Sequence, residues 1–372
     1  MKKKLLITAR DVGAAINIIE IVKYAHSLKN IELHLYVQNP AAKYFANANI
    51  AINPVLLNIS HSPTDADGLL LLNYADKLIK EISPDVILCG LSTPGDGGID
   101  EAIIFAAKNK IPTFVMQDFW GEVNDFFGHC ADFYLCLSDH AKFLSEQKYN
   151  CEGIVIGSPR HAWYGDADLF SKKLSLRHQY DLGHDDEVIG LFGQSLHHIP
   201  GYSRTILNFL NSLNHKKDEL VLLYRPHPRE TESQRQKSIA MLEESNLTYV
   251  ITENDKVEHS LLMSDVVVSI LSNCLYDSCY LNFFSEVPLI TPVALCYEED
   301  LLRHLNNFSM ISSSPYKSHN LAKIYDESAP DAKTIDYLLS EDCKRELWLS
   351  SKKLQNPKLS AKKAIDSLLS HC

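Results

Sequence analysis

Residues 85–116 read DVILCGLSTPGDGGIDEAIIFAAKNKIPTFVM. Asp85–Leu91 is a buried-strand run, Ile99–Lys108 has apolar residues at helical spacing, and Thr113–Met116 is strand-like again. Buried apolar strands separated by amphipathic helices imply parallel pairing, with helices covering both faces of the sheet.

The alternation extends both ways from this stretch. Upstream lie the short apolar run Leu5–Ala9, the amphipathic stretch Ile16–Ser27, the alternating strand Glu32–Val37 and helical spacing over Leu69–Ile82. Downstream, Phe133–Leu137 and Gly153–Ile156 complete the series. Residues 158–186 contain Pro159, Gly165, Gly183 and many charges but no buried strand, and read as a linker. A second alternation starts at Glu187 (EVIGLFG). Its helices are expected near Ser203–Leu213, Glu232–Glu244, Val257–Met263 and Leu275–Phe283. Its strands are Glu219–Tyr224, Thr248–Ile251, Asp265–Ile270 and Val287–Ile290, and a polar helical tail runs from Glu341. The expected fold class is therefore α/β, with two Rossmann-like domains, 1–165 and 186–372, facing across a cleft. Ligands of open α/β sheets bind outside the carboxyl ends of the strands, so the loops that follow strands are where function should lie.

Composition narrows the classes. A chain of 372 residues exceeds what one hydrophobic core usually supports, in keeping with two domains. The net charge of −11 speaks against general nucleic-acid binding, which needs a basic face. Lys2–Lys4 precede only Leu5–Ala9, too short an apolar region for a signal peptide. No run approaches the ~20 residues that cross a bilayer. Nine cysteines without a CxxC fit neither a disulfide framework nor a zinc site, and the expected compartment is the cytoplasm. HExxH, the P-loop, a complete GxGxxG and GxSxG are all missing, which weighs against metallopeptidase, NTPase, dehydrogenase and α/β-hydrolase readings.

The most informative loop is Tyr224-Arg225-Pro226-His227-Pro228-Arg229, directly after an apolar strand. Its prolines keep the chain extended and hold His227 rigidly between two cationic side chains suited to phosphate oxygens. The competing reading is a proline-stiffened turn with a surface histidine. A second loop, Ser269-Ile270-Leu271-Ser272-Asn273, leads into a helix carrying Asp277. Hydroxyls at a helix start make an anion site, although Ser272 and Asn273 are also ordinary N-cap residues. The two loops follow strands able to be sheet neighbours. Gly193-Gln194-Ser195, after the first strand of the second domain, would face the same cleft.

RPHP followed by SDVVVSILSNCLYD resembles the carboxyl-terminal half of GT-B-fold glycosyltransferases that build bacterial surface carbohydrate. The similarity is to the group of bacterial sialyltransferases, polysialyltransferases, Kdo transferases and teichoic-acid glycerophosphotransferases, which share an HP motif and a serine motif holding the donor phosphate. His227 and Pro228 match the HP motif and Ser272 the serine motif, with Asn273 in place of a second serine. Ile111–Gly121 (IPTFVMQDFWG) and residues 154–163 (IVIGSPRHAW) resemble two amino-terminal segments of these enzymes. Gln117 is followed here by Asp118, where many relatives have His-Gly.

The resemblance implies an inverting glycosyltransferase that moves a sugar from a nucleotide-activated donor, CMP-linked as a first choice, to a glycan or lipid-linked acceptor. Arg225, His227, Ser269, Ser272, Asn273 and Asp277 would hold the donor in the second domain, with no metal and no cofactor beyond this co-substrate. An acceptor base is then needed. Ser92–Glu101 (STPGDGGIDE) follows a strand, and its glycines would let substrate approach the backbone. Asp96 is the preferred base. Gly97, Gly98 and Asp100 share its loop, and Gly13, Gln117 and Asp118 complete the acceptor side. Asp100 and Glu101 read equally well as acids capping a helix. Lysines at 352, 353, 358, 362 and 363 would allow peripheral contact with an anionic membrane, but acids on either side favour a solvated helix face. The alternatives are a UDP-GlcNAc 2-epimerase-like enzyme and a non-catalytic nucleotide-sugar binding protein.

Overall fold

A computed structural model describes residues 2–253, 256–270, 272–309 and 314–372, without the side chains of 308 and 309. The chain divides into two compact units, Met1–Ala162 with Gln355–Cys372, and Trp163–Leu354.

The first unit is built on seven parallel strands: β1 (Lys3–Ala9), β2 (Ile31–Gln38), β3 (Asn53–Val55), β4 (Val86–Gly90), β5 (Thr113–Met116), β6 (Phe133–Cys136) and β7 (Glu152–Val155). Their order is β3-β2-β1-β4-β5-β6-β7. All five residues of β4 are buried, as its run of apolar side chains requires of a strand covered on both faces. The connections carry α1 (Val12–His26), α2 (Ala41–Asn47), α3 (Ala66–Ile82), α4 (Ile99–Ala107) and α5 (Asp139–Lys148). Helix α3 starts where the Asp65 carboxylate accepts the Gly68 N–H at 2.6 Å and stops at Ser83, in the left-handed region, just before Pro84. The order of strands reverses between β1 and β4. Loops 10–12 and 91–98 meet there, and Asp11 clamps them by accepting from the Thr93 N–H (2.8 Å) and hydroxyl (2.9 Å).

The second unit has six parallel strands, β8 (Glu187–Phe192), β9 (Leu220–Arg225), β10 (Tyr249–Ile251), β11 (Val266–Ser269), β12 (Thr291–Leu295) and β13 (Lys323–Tyr325), in the order β10-β9-β8-β11-β12-β13. Around them lie α6 (Leu169–Gln179), α7 (Pro200–Ser212), α8 (Glu232–Glu244), α9 (Val257–Met263), α10 (Cys274–Phe284), α11 (Glu299–Ser309), α12 (Ala332–Leu339) and α13 (Glu341–Ser351). Its core packs Phe209, Leu222, Val268, Val293 and Leu347. Here the order reverses between β8 and β11, and the Ser269 hydroxyl closes that crossing on the Phe192 carbonyl at 2.9 Å.

Three expectations are corrected. Residues 158–186 are not element-free: they hold a 3₁₀ helix (Pro159–Asp166) and α6. From α6, Lys173 and Arg177 reach the Asp265 carboxylate at 2.9 and 2.6 Å, so the inward face of this helix sets two buried cations beside Leu169 and Leu176. The strand expected at Val287–Ile290 lies at Thr291–Leu295, where Pro292 pairs opposite Val267 within the sheet despite its missing N–H. The last helix, α14 (Pro357–Leu369), packs on α1 in the first unit instead of ending the second domain. Its Ser360 hydroxyl donates to the Ile156 carbonyl at 2.6 Å.

All nine cysteines are free thiols. Among the described residues no helix is long and apolar enough to cross a membrane, and no three His, Cys, Asp or Glu side chains are grouped to hold a metal ion.

Candidate functional site

In the first unit the residues singled out from the sequence separate into a buried layer and an accessible one. Asp100 is fully buried and accepts from the Thr8 hydroxyl (2.5 Å), the Gly90 N–H (3.2 Å) and the Ser92 hydroxyl (3.1 Å). Beside it, Glu101 is also buried and faces Arg10 at 3.9 Å. Burial pushes both carboxyls up and Arg10 pulls both down. Asp100 therefore braces β1 against β4 and has no surface toward an acceptor. Gly97 and Gly98 are corrected in the same way. A Cβ on Gly97 would run into the Phe126 ring, and one on Gly98 would lie 2.5 Å from Arg10 Cδ. These glycines admit protein side chains, not substrate. Gln117 is buried too, its amide donating to the Ser145 hydroxyl (2.7 Å) and the Glu122 carbonyl (3.1 Å).

Two carboxylates of the original set remain accessible. Asp96 is 37% exposed and lies 2.7 Å from Nδ1 of the exposed His61. Asp118, at the end of β5, is part-buried and sits over Gly13 in the first turn of α1, where a Cβ would fall 2.7 Å from its Cγ. Burial raises the Asp118 carboxyl to about 7, while Arg160 pulls it down and Asp11 pushes it up. Gly13 is thus the space that lets a tuned carboxylate rest on a helix start. Sequence reasoning missed the residue that organises this loop, Asn124. Its side-chain amide lies 2.9 Å from the Asp96 carbonyl, 3.1 Å from that of Thr93 and 3.0 Å from Glu101 Oε1.

In the second unit three loops, after β8, β9 and β11, gather at the carboxyl edge. The strands carrying His227 and Ser272 are not neighbours: β8 lies between them, so the two loops start about 10 Å apart, two strand spacings. Gly193–Ser195 occupies the middle. Gly193 has no room for a side chain, since a Cβ would stand 2.7 Å from Glu230 Oε1 and 2.9 Å from the Tyr224 hydroxyl. The Tyr202 hydroxyl accepts the Gln194 N–H at 2.7 Å, and the Ser195 hydroxyl has two acceptors within reach of its one proton, Gln234 Oε1 (3.1 Å) and the Arg229 carbonyl (3.2 Å).

His227 is part-buried, and burial together with the Arg229 charge lowers its imidazole to about 4. Arg225 turns to α9, where Nη1 donates to the Ser260 hydroxyl at 2.9 Å. Pro228 is exposed at the turn. Ser272 is part-exposed; its hydroxyl accepts the Cys274 N–H at 3.2 Å, and Asn273 occupies the N-cap of α10. Ser269 and Asp277 are buried, the former spent on the β8–β11 crossing, and neither presents a donor-facing surface. Leu271 lies outside the described residues. Glu230 was not foreseen. It accepts from the His227 N–H (3.2 Å) and the Tyr224 hydroxyl (3.3 Å), and only its place three residues after the histidine pointed to it.

No protein-family model and no curated protein sequence matches this chain. Solved structures do. The chain is similar to a UDP-GlcNAc 2-epimerase from Neisseria meningitidis bound to UDP-GlcNAc, with 12% identity, a TM-score of 0.66 and coverage of 99% of this chain and 100% of that one. It is similar to a glycosyltransferase from Rickettsia africae (12% identity, TM-score 0.67, 100% and 98% covered) and to MurG from Acinetobacter baumannii (12%, 0.60, 99% and 99%). At such identities the likeness establishes the fold. The chain has the GT-B type of α/β architecture, two Rossmann-like domains each with a parallel sheet.

Proposed function

We propose that this protein is a nucleotide-sugar-using enzyme, a glycosyltransferase whose second unit holds the donor's phosphate and whose first unit activates an acceptor hydroxyl. The observation that supports the reading is that the loops of His227 and Ser272 follow the two strands flanking β8, at the carboxyl edge where strand order reverses. Hydrogen bonds from His227, Ser272 and Asn273, with the positive end of the α10 dipole, would stabilise charge that grows on the leaving phosphate.

Asp118 replaces Asp96 as our choice of base. A general base works best with a pKa near the working pH, and the Asp118 carboxyl lies at about 7. Asp96 stays on the acceptor side, exposed and paired with His61. Donor inversion at the sugar carbon follows from a single displacement by the deprotonated acceptor, which is a glycan or lipid-linked sugar in surface-carbohydrate synthesis, and CMP-linked acidic sugars are the first donors to try. Thermal-shift screening against CMP, CDP, UDP, GDP and TDP tests the donor half. One nucleotide should raise the melting temperature, since a ligand that binds only the folded chain stabilises it by mass action, and His227→Ala should remove that shift. A shift untouched by the substitution defeats the assignment.

A second reading is an epimerase acting on UDP-GlcNAc. Two observations favour it: the group of Asp11, Asp96 and Asp118 at the carboxyl edge of the first unit, and the structural neighbour that carries that sugar nucleotide. Incubation with UDP-GlcNAc and no acceptor separates the two, because only an epimerase changes it.

A further inference from the structure

His227 lies in a turn whose hydrogen bonds determine the state of its ring. The residue after it, Pro228, has no N–H, so the next amide along the chain is that of Arg229. That N–H points back at His227 Nδ1 across 3.1 Å. An amide can only donate, so Nδ1 must be the acceptor and the ring proton sits on Nε2. Two reciprocal bonds close the same turn, from the His227 N–H to Glu230 Oε1 (3.2 Å) and from the Glu230 N–H to the His227 carbonyl (2.9 Å). Protonating Nδ1 would set one N–H against another. The Arg229 guanidinium adds a like charge nearby.

We propose that Arg229 is a positioning residue that acts through its main-chain N–H, fixing His227 as the neutral Nε2–H tautomer, so that the site offers phosphate a directed, uncharged hydrogen-bond donor. The inference rests on the reading that this loop holds a phosphate. It differs from a charged or proton-donating histidine in its consequences. No proton passes from the ring to the leaving group. The interaction should persist unchanged across the range in which an ordinary histidine loses its charge. A neutral amide whose nitrogen falls at the Nε2 position should substitute for the ring.

The test is long-range ¹H–¹⁵N correlation on the full chain with ¹⁵N-labelled histidine. His227 should show the Nε2–H pattern and no titration between about pH 5.5 and 8. Arg229→Ala keeps the amide and should keep that pattern, whereas Arg229→Pro removes the N–H and should release the ring to titrate like a free histidine. If Arg229→Pro fails to fold, the wild-type spectrum still decides: an Nδ1–H pattern, or a midpoint near 6.5, overturns the proposal. In parallel, His227→Gln should keep a nucleotide-induced melting shift that His227→Asn and His227→Ala lose. Should the Nε2–H pattern appear while all three variants bind nucleotide as the wild type does, the tautomer stands and the phosphate reading falls. Should nucleotide binding depend on His227 while its ring titrates, the phosphate reading stands and the role given to the Arg229 amide falls.

Discussion

Gly13→Ala isolates the contribution of Asp118. The added methyl would overlap Asp118 Oδ2 and lie 2.7 Å from its Cγ and 3.3 Å from its Cβ, against an ordinary carbon–carbon contact of about 3.5–4 Å. The carboxylate must therefore retreat by more than ~1 Å or swing to another rotamer, and either movement takes it off the start of α1. A misplacement of ~1 Å in a reacting group can cost about 100-fold in rate, so turnover should fall by about that factor. Folding should survive. Gly13 has helical backbone that alanine adopts, and alanine is the better helix former by up to about 1 kcal/mol, which offsets the strain of moving one part-exposed carboxylate. Melting temperature should thus stay within a few degrees while kcat/KM drops. The assay is steady-state transfer from the nucleotide sugar whose nucleotide scores in the melting screen, with Gly13→Ala and wild type side by side. Near-normal turnover in a well-folded Gly13→Ala protein would refute the placement of Asp118 as base, because no substitution displaces that carboxylate more directly.

Other expectations follow from the same geometry. Asp118 works as a base only when ionised, so kcat/KM should rise as pH increases through about 7, and Asp118→Asn should remove both that limb and the activity. Because its carboxyl is raised in the folded chain, ionisation of Asp118 opposes folding from pH 3.8 upward and fully above about 7, so Asp118→Asn should melt higher than wild type at pH 8, by less at pH 5, and not at all below pH 3.8. His227→Ala should weaken nucleotide binding about 10- to 150-fold, the range for losing one hydrogen bond to a charged group, as read by calorimetric titration. At the base of the second sheet, burial alone would raise the Asp265 carboxyl, but Lys173, Arg177 and Lys344 hold it at about 2. That depression contributes about 2–3 kcal/mol, present above pH 3.8 and lost as pH falls toward 2. Burial takes Lys173 down to about 8, so it keeps its charge at neutral pH, and Asp265→Asn strands it with Arg177 at a cost of about 3–5 kcal/mol. Amide exchange in β8 and β11 should accelerate accordingly, and unchanged protection there would count against the argument.

The sequence made the sheets legible because their strands are nearly uniform apolar runs. VILCG in β4 and VVVS in β11 are buried at every position, and the one hydroxyl between them, Ser269, stands at a strand end. Helix α6 escaped notice for the opposite reason. Its inner face presents Lys173 and Arg177 to a carboxylate and to main-chain carbonyls, a pattern that in one dimension looks like a solvated linker. Strand β12 starts four residues after the start expected from Val287–Ile290, and it holds Pro292, a residue depleted in inner strands. Nothing in the amphipathic spacing of α14 says which unit it covers; that is decided by packing on α1.

For the site, motif residues at strand ends were visible, but their exposure was not. Ser269, Asp100 and Gln117 look like ligands on paper and are interior braces in the fold. Asn124 could not be found, since it acts on carbonyls some 30 residues away through no periodic signal.

Which unit takes the phosphate can also be argued from charge alone, apart from any family motif. The accessible acids at the β1–β4 crossing are Asp11, Asp96 and Asp118; they outnumber the part-exposed Arg160 beside Asp118, His61, neutral or cationic, pairs with Asp96, and Arg10 is buried against Glu101 and the 96 carbonyl. An anion brought there meets carboxylates at close range, and a like charge at such distance costs energy wherever water is partly excluded. A hydroxyl brought there finds acceptors for its proton. The crossing at β8–β11 offers the reverse. Its accessible groups are an imidazole N–H and the Ser272 hydroxyl, both able to donate, while the nearby Glu230 is already engaged by the His227 N–H and the Tyr224 hydroxyl. A substrate with a phosphate and a substrate with a reactive hydroxyl are thus sorted to different units by the sign of what lines each crossing. An exchange of roles would have to pay repulsion at the first crossing and leave hydrogen-bond donors idle at the second.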